Sequence, residues 1–453
     1  MNHNQDPIIA LATPQGVSAI AVVRLSGQGV IGIVNQLFWG SDLSQQASHT
    51  IHFGMIKKGD VTIDEVLVAI FIAPHSFTKE DAVEISCHGA PFIIAQLIEL
   101  FVAQGVRIAE PGEFTKRAFL NGRFDLAQAE AVADLIAADS MLAHQTALRQ
   151  MRGGFSLTLQ ALRKRLRHFA AMLALELDFG EEDIAFLDRK DLHRLADELI
   201  TTLTELIDSF QLGNVIKQGV SVAIVGKPNV GKSTLLNALL QEERAIVSPI
   251  AGTTRDTIEG TLHLNGIRFR FVDTAGLRAT ASDTIEAIGI ERTKTQCSKA
   301  FVVLYLIDLS DMTLTQAEDD LVTWELEGLP LLKIGNKMDL APASALESFK
   351  DYLLIAAQTG NGIATLKDKL VQLVAQQPSD GLATIVINAR HCDRLQKSKQ
   401  ALADVITGLA QKRSNELLVV DINRALYALG EITGEITTEE ILGEIFSKFC
   451  IGK

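Results

Sequence analysis

Cysteine is scarce in this chain of 453 residues, and the four present (Cys87, Cys297, Cys392, Cys450) form no CxxC pair. That excludes a disulfide framework and suits a reducing compartment. Two tryptophans and three tyrosines leave phenylalanine, with 20 residues, as nearly all the aromatic surface. Long apolar runs are missing as well: stretches such as Ala300 to Ile307 fall far short of the roughly 18 residues that a membrane span needs. The segment MNHNQDPII has neither the basic start nor the cleavage pattern of a secretory signal, so a cytoplasmic location without a membrane is expected. Positive charge is in deficit, 42 Lys and Arg against 55 Asp and Glu, for a net charge of −13. Nucleic-acid binding by bulk counterion release is disfavoured, although a shape-selective RNA can still meet a local basic patch.

What is present is a globular composition, 47% apolar and 21% charged, with length for about three domains. Residues 1–118 read as mixed α/β, with short β-rich runs (AIAVVRL, VLVAIFIA, AVEISCHG) between turn residues and a helix from Pro91 to Gln104. From residue 119 the texture becomes helical. Asp125 and Gln128 have the form of a capping box, and Leu126 to Met151 has helical spacing. Helical patterns continue over Leu157–Phe179 and Arg189–Leu212, up to residue 217. Over 218–377, strands SVAIVG, RFRFVD, FVVLYLID and LPLLKIG alternate with helices, which indicates a parallel sheet with helices on its faces. Residues 378–453 return to helix, over Asn388–Lys412, Leu417–Leu429 and Thr438–Phe449. The expectation is a multidomain α/β plus α chain, with a Ras-like P-loop G domain inserted into an all-α domain built from both flanks.

Chemistry concentrates in the insert. Gly226-Lys-Pro-Asn-Val-Gly-Lys-Ser233 matches GxxxxGK[ST] between a strand and a helix, where backbone N–H groups wrap phosphates and the helix dipole favours them. Gly226, Asn229, Val230, Gly231, Lys232, Ser233 and Thr234 form this phosphate side. Lys232 is placed to reach the β and γ phosphates, and the Ser233 hydroxyl to ligate Mg²⁺. Gly252-Thr-Thr-Arg-Asp256 offers a threonine to the metal. Asp273, Thr274, Ala275 and Gly276 put a carboxylate near it and a glycine N–H near the γ-phosphate. Asn336, Lys337, Met338 and Asp339 select guanine, because Asp339 can accept from both the ring N–H and the exocyclic amine. Four such elements in order and spacing specify GTP. The water-orienting glutamine of Ras-like enzymes is replaced by Leu277, which leaves Glu286, Arg278 and Arg255 as polar candidates or as solvated switch charges.

The chain resembles the MnmE (TrmE) family of tRNA-modification GTPases from end to end. The likeness rests on ATPQGVSAIAVVRLSG, SFTKEDAVEISCHG, PGEFTKRAFLNGRFDLAQAEAVADLI, GKPNVGKSTLLNALL, IAGTTRD, DTAGLR, GIER and FCIGK. It implies an N-terminal folate-binding domain, a split helical domain and the G domain. It implies a homodimer acting with the FAD-dependent protein MnmG on the wobble uridine of certain tRNAs. An aminomethyl or carboxymethylaminomethyl group would be added to carbon-5 there, with the one-carbon unit from 5-formyltetrahydrofolate or a related tetrahydrofolate.

By the same resemblance, Asn229, Ser248, Ile250 and Thr253 would ligate K⁺, and Thr254 would join Ser233 on Mg²⁺. Pro249, Ala251 and Gly252 would line the same loop. Glu286 would orient the attacking water, with Arg255 and Arg278 as further stabilisers. Arg24, Glu84, Arg123 and Lys453 would hold folate, and Cys450 would be a thiol needed for modification. The family's Ser-Ala-Lys element appears as Ala356-Ala357-Gln358, which keeps a backbone N–H for guanine O6 but loses the serine. Weak, fast-exchanging GTP is the expectation. The Cys87–His88 pair reads as structural rather than metal-binding. The basic string Arg163-Lys-Arg-Leu-Arg-His168 reads as a solvated helix face, with tRNA or an acidic partner as its alternative. The competing function is a regulatory GTPase switch with no modification chemistry.

Overall fold

A computed structural model describes residues 6–178, 189–241, 258–272, 297, 300–324, 330–375 and 385–452. They form two compact units, one of residues 1–136, 148–200 and 394–453, the other of residues 137–147 and 201–393.

The first unit is built on a seven-stranded sheet: β1 Ile8–Leu11, β2 Ser18–Ser26, β3 Phe38–Trp39, β4 Thr50–Lys58, β5 Val61–Phe71, β6 Ala82–Gly89 and β7 Arg107–Ile108. The order is β3-β4-β5-β6-β2-β1-β7, antiparallel except where β1 meets β7. Alternation fixes its faces. In β5, Val66, Val68 and Ile70 are buried while Glu65 and Leu67 are exposed, as a half-buried strand requires. The inward set packs with Val30, Val34, Leu97 and Phe101 from helices Val30–Leu37 and Pro91–Ala103.

Helices complete this unit. The expected capping box is present: Asp125 Oδ1 accepts from the Gln128 N–H at 2.9 Å, and Gln128 Oε1 accepts from the Asp125 N–H at 3.0 Å. Helix Leu126–Ala137 follows. The continuous helical run expected to Met151 instead breaks at residues 138–140. There the Ser140 hydroxyl accepts from the Ala143 N–H at 3.2 Å and starts a separate helix, Met141–Met151, whose residues 141–147 belong to the second unit. Helix Gly154–Asp178 packs along helix Asn415–Thr433, and Glu439–Phe446 along Glu113–Leu120.

The second unit has a six-stranded sheet: β8 Val220–Val225, β9 Ile258–Leu264, β10 Ile267–Val272, β11 Val302–Asp308, β12 Leu331–Asn336 and β13 Leu353–Leu354. Its order is β13-β12-β11-β8-β10-β9, parallel except for the β9–β10 hairpin. That hairpin turns on Asn265-Gly266, both at positive φ, the pair a tight two-residue turn favours. Both faces of the central strands are covered. Val222 and Ile224 lie in one core, Ala223 and Val225 in the other. Such strands read as continuous apolar runs, and their carboxyl ends converge on one edge where ligands bind in open α/β sheets.

Candidate functional site

The phosphate loop leaves the end of β8 and enters helix Lys232–Gln241. Two of its glycines are required by space. A Cβ on Gly226 (φ +148) would stand 2.1 Å from the Leu306 carbonyl, and one on Gly231 (φ +100) 2.4 Å from Asn336 Nδ2. Asn229 takes a left-handed φ of 64°, and Leu235 N–H donates to Gly231 O at 2.8 Å. Lys232 Nζ donates to the Gly226 and Lys227 carbonyls at 2.7 and 2.8 Å. Burial holds its pKa below the ordinary lysine value. Ser233 and Thr234 are exposed at the helix start, where four N–H groups lack helical partners.

Asn336, at the end of β12, ties three loops together. Its Nδ2 donates to Val230 O at 2.9 Å, and its Oδ1 accepts from the Ala357 N–H at 3.0 Å. The Ala357 N–H expected to face guanine O6 is thus donated to Asn336 in this structure. Lys337 (φ 61) pairs with Asp308 Oδ2 at 2.5 Å. Burial pushes the Asp308 carboxyl up, but Lys337 and Ser310 outweigh it and hold it below the usual range. Met338 N–H donates to Ile355 O at 3.1 Å, and Asp339 is exposed beyond it. The Ala356-Ala357-Gln358 loop, lacking serine, is closed by backbone: Ala356 donates to Asn361 O at 2.9 Å and accepts from Gly360 at 2.9 Å. Residues 248–255, 273–278, Glu286 and Lys453 lie outside the described residues.

A second set meets in the first unit. Arg24 on β2 stands directly across from Glu84 on β6, and its Nε donates to Glu84 Oε1 at 2.9 Å. Its guanidinium lies 5.7 Å from the Phe77 ring and donates to the Gly452 carbonyl at 3.4 Å. Arg123 lies 5.0 Å from the same ring and donates to Ser76 O at 2.5 Å. The segment around Cys450 is held in place by Gly112 N–H donating to its carbonyl at 3.3 Å. A Cβ on Gly452 would stand 2.3 Å from Leu11 O. Three of the four expected folate residues therefore face one locus with the Cys450 segment. Phe77 was not anticipated, since one phenylalanine in SFTKED carries no signal until two arginines are seen to flank it.

Of the four cysteines, Cys450 alone is exposed. Burial, then Asp64, pushes the Cys87 thiol up to about 11, and His88 Nδ1 bonds Asp64 Oδ1 at 2.7 Å. The basic string is dispersed by its helix: Arg163 is buried and ion-paired with Glu435, while Arg165 reaches Glu198 at 2.5 Å.

A P-loop at the carboxyl edge of a parallel sheet, with an Asn-Lys-x-Asp strand end bonded to it, defines a GTPase domain, here accompanied by an N-terminal α/β domain and helices. The profile of the TrmE N-terminus matches residues 7–123 and that of the MnmE helical domain residues 126–450. The chain belongs to the MnmE (TrmE) family of tRNA modification GTPases. It is 50% identical to the tRNA modification GTPase MnmE of Cytophaga hutchinsonii over 100% of this chain and 98% of the relative. It is 45% identical to that of Bacteroides thetaiotaomicron over 99% of this chain and all of the relative. Among solved structures, Era with MgGDPNP and a 16S ribosomal RNA segment is 27% identical over 40% of this chain and 66% of its own, at a TM-score of 0.28.

Proposed function

We propose that this GTPase acts on tRNA, adding an aminomethyl or carboxymethylaminomethyl group to carbon-5 of the wobble uridine together with the flavoprotein MnmG. The observation that carries the reading is the convergence of Arg24, Glu84, Phe77 and Arg123 on the Cys450 segment. A GTPase switch without modification chemistry has no use for it. The site fits a folate: a pterin edge offers donors and acceptors to Glu84, and Arg24 and Arg123 suit its carboxylates. When bound, 5-formyltetrahydrofolate or a relative supplies the one-carbon unit. Lys453 is assigned to the same site, and the exposed Cys450 thiol is the group taken to be needed for modification.

In the G domain the glycines let the loop pass close against Leu306 and Asn336, and the phosphates would meet its backbone N–H groups, Lys232 and the helix N-terminus. Ser233 and Thr254 would hold Mg²⁺; Asn229, Ser248, Ile250 and Thr253 would hold K⁺, whose charge stabilises the phosphates as an arginine finger does. Glu286 orients water in place of the missing glutamine. The proposed division is an N-terminal domain at 1–118, a split helical domain at 119–217 and 378–453, and a G domain at 218–377. A homodimer through the N-terminal domain is supported by the outward sheet face, where Ile51, Phe53 and Leu67 are exposed side by side on β4 and β5.

The test is nucleoside mass spectrometry of tRNA from a strain lacking this gene, complemented with the wild type or with Cys450→Ser. Restoration by the wild type alone is expected. A wobble uridine whose modification never depended on the gene would overturn the reading.

A further inference from the structure

Resting on the assignment of guanine to the segment Asn336 to Asp339, we infer that Asp308 is a specificity-determining residue of this GTPase, acting as a positioning residue through Lys337. Asp308 closes β11 and lies directly across from Asn336 at the close of β12. Leu309 N–H donates to Asn336 O at 3.0 Å, which ties the two strand ends together. One residue further, Lys337 leaves the ladder with a φ of 61°. A left-handed lysine costs free energy and persists only where its surroundings hold it. Two contacts do so. Its carbonyl accepts from the Leu340 N–H at 3.0 Å, closing a four-residue turn with Asp339 as its third member. Its ammonium crosses to β11 and meets Asp308 Oδ2 at 2.5 Å.

The Asp308 carboxylate is itself held in orientation. Its Oδ1 accepts from the Ser310 N–H at 3.0 Å and from the Ser310 hydroxyl at 2.6 Å, which leaves Oδ2 for Lys337. The two side chains are 15% and 33% exposed, so water screens this pair less than one on the open surface. A contact that fixes the first residue of the turn also sets where the third one stands. Asp339 is exposed, so the turn rather than packing aims its carboxylate. That aim decides guanine, because the carboxylate must meet the ring N–H and the exocyclic amine together, and hydrogen bonds weaken steeply when misaligned.

The test uses the full-length protein with Mg²⁺ and fluorescent N-methylanthraniloyl-GDP, displaced by GTP or by inosine triphosphate, which lacks the exocyclic amine. In Asp308→Asn the one remaining oxygen is claimed by Ser310, so the amide NH₂ faces the Lys337 ammonium, donor against donor. GTP is expected to weaken roughly tenfold and inosine triphosphate at most about twofold, so discrimination between them falls. In a Lys337→Met background the same substitution should change neither affinity further, since the group through which it acts is gone. Ser310→Ala keeps the pair but removes one bond to Oδ1, and should lower discrimination in the same direction by about twofold. It carries the test if far-UV circular dichroism shows Asp308→Asn unfolded. Equal weakening of both nucleotides, or no weakening, would overturn the inference and leave Asp308 a role in stability alone. Asp339→Asn separates the two readings. If it abolishes the preference for GTP over inosine triphosphate while Asp308→Asn preserves it, the guanine assignment stands and the role of Asp308 falls. If Asp339→Asn leaves the preference intact, both fall.

Discussion

Asn336 ties the phosphate loop to the base side of the nucleotide site, because it satisfies the Val230 carbonyl and the Ala357 N–H at once. Asn336→Ala leaves both without that partner in a buried place, at a cost of about 2 kcal/mol. Urea denaturation should register that loss, and GTP affinity should fall at least tenfold by equilibrium titration. A variant with wild-type affinity would show that the loops hold themselves. Gly231→Ala tests the same contact from the other side. Its Cβ would meet Asn336 Nδ2 at 2.4 Å at a φ of +100°, so strain and displacement combine. Nucleotide binding should be lost in a filter assay while far-UV circular dichroism stays near wild type. The phosphate loop was legible because its chemistry is contiguous in sequence. The Arg24–Glu84 pair spans 60 positions and needs the β2–β6 register to exist. Only the family resemblance reached it from the sequence. The Gly452 contact with Arg24 spans 428 positions and had no local signal at all.

At the scale of elements, helix Gly154–Asp178 shows how a charge run can mislead. Leu162, Leu166, Phe169 and Leu173 are buried at helical spacing, and Arg163 lies beside that stripe, 5% exposed. Periodicity could have placed Arg163 near the core; the run of cations drew attention to the solvent face instead. The pair with Glu435 is asymmetric, with side-chain exposures of 6% and 45%. Removing Glu435 strands a buried cation, whereas removing Arg163 frees a half-exposed carboxylate. Glu435→Ala should therefore cost about 3 kcal/mol and Arg163→Met distinctly less. Equal losses in urea midpoints would mean that the pair acts by packing rather than charge. A second network joins β7 to helix Glu113–Leu120. Arg107 pairs with Asp6 at 2.8 Å and Glu113 at 2.5 Å, and Arg117 with Glu113 at 2.9 Å. Burial raises the Glu113 carboxyl, but Arg107, the Glu110 N–H and Arg117 outweigh it, and its pKa lies below the ordinary value. Asp6 is lowered against its burial by the same two arginines. Carboxyls depressed in the folded state give stability that is complete above their unfolded values and lost as pH falls through the folded ones. The stability gap between wild type and Arg107→Gln should be full at pH 7 and close below about pH 4. A gap that persists in acid would assign the effect to packing.

Under the proposed function the molecule carries two chemistries in two units, and each should leave its own footprint in hydrogen exchange. The fold classes of both units were readable from the sequence because strand alternation differs from continuous apolar runs. The break after Ala137 was not, because its cause is a single serine cap. A non-hydrolysable GTP analogue should protect the amides of residues 226–234, 335–339 and 356–358, whose N–H groups line the carboxyl edge of the second sheet. Protection tracks occupancy, since a ligand at 100 times its Kd stabilises its site by about 2.7 kcal/mol. 5-Formyltetrahydrofolate should protect peptides from β2 and β6, the SFTKED loop and the segment Phe449–Gly452. That last segment decides the matter. Its Gly452 carbonyl accepts from Arg24, and its Cys450 carbonyl accepts from Gly112, so a ligand that orders Arg24 is expected to restrain the segment and slow its exchange. Slowing in β2 and β6 with none in Phe449–Gly452 would detach the exposed thiol from the folate locus, and Cys450 would need another substrate.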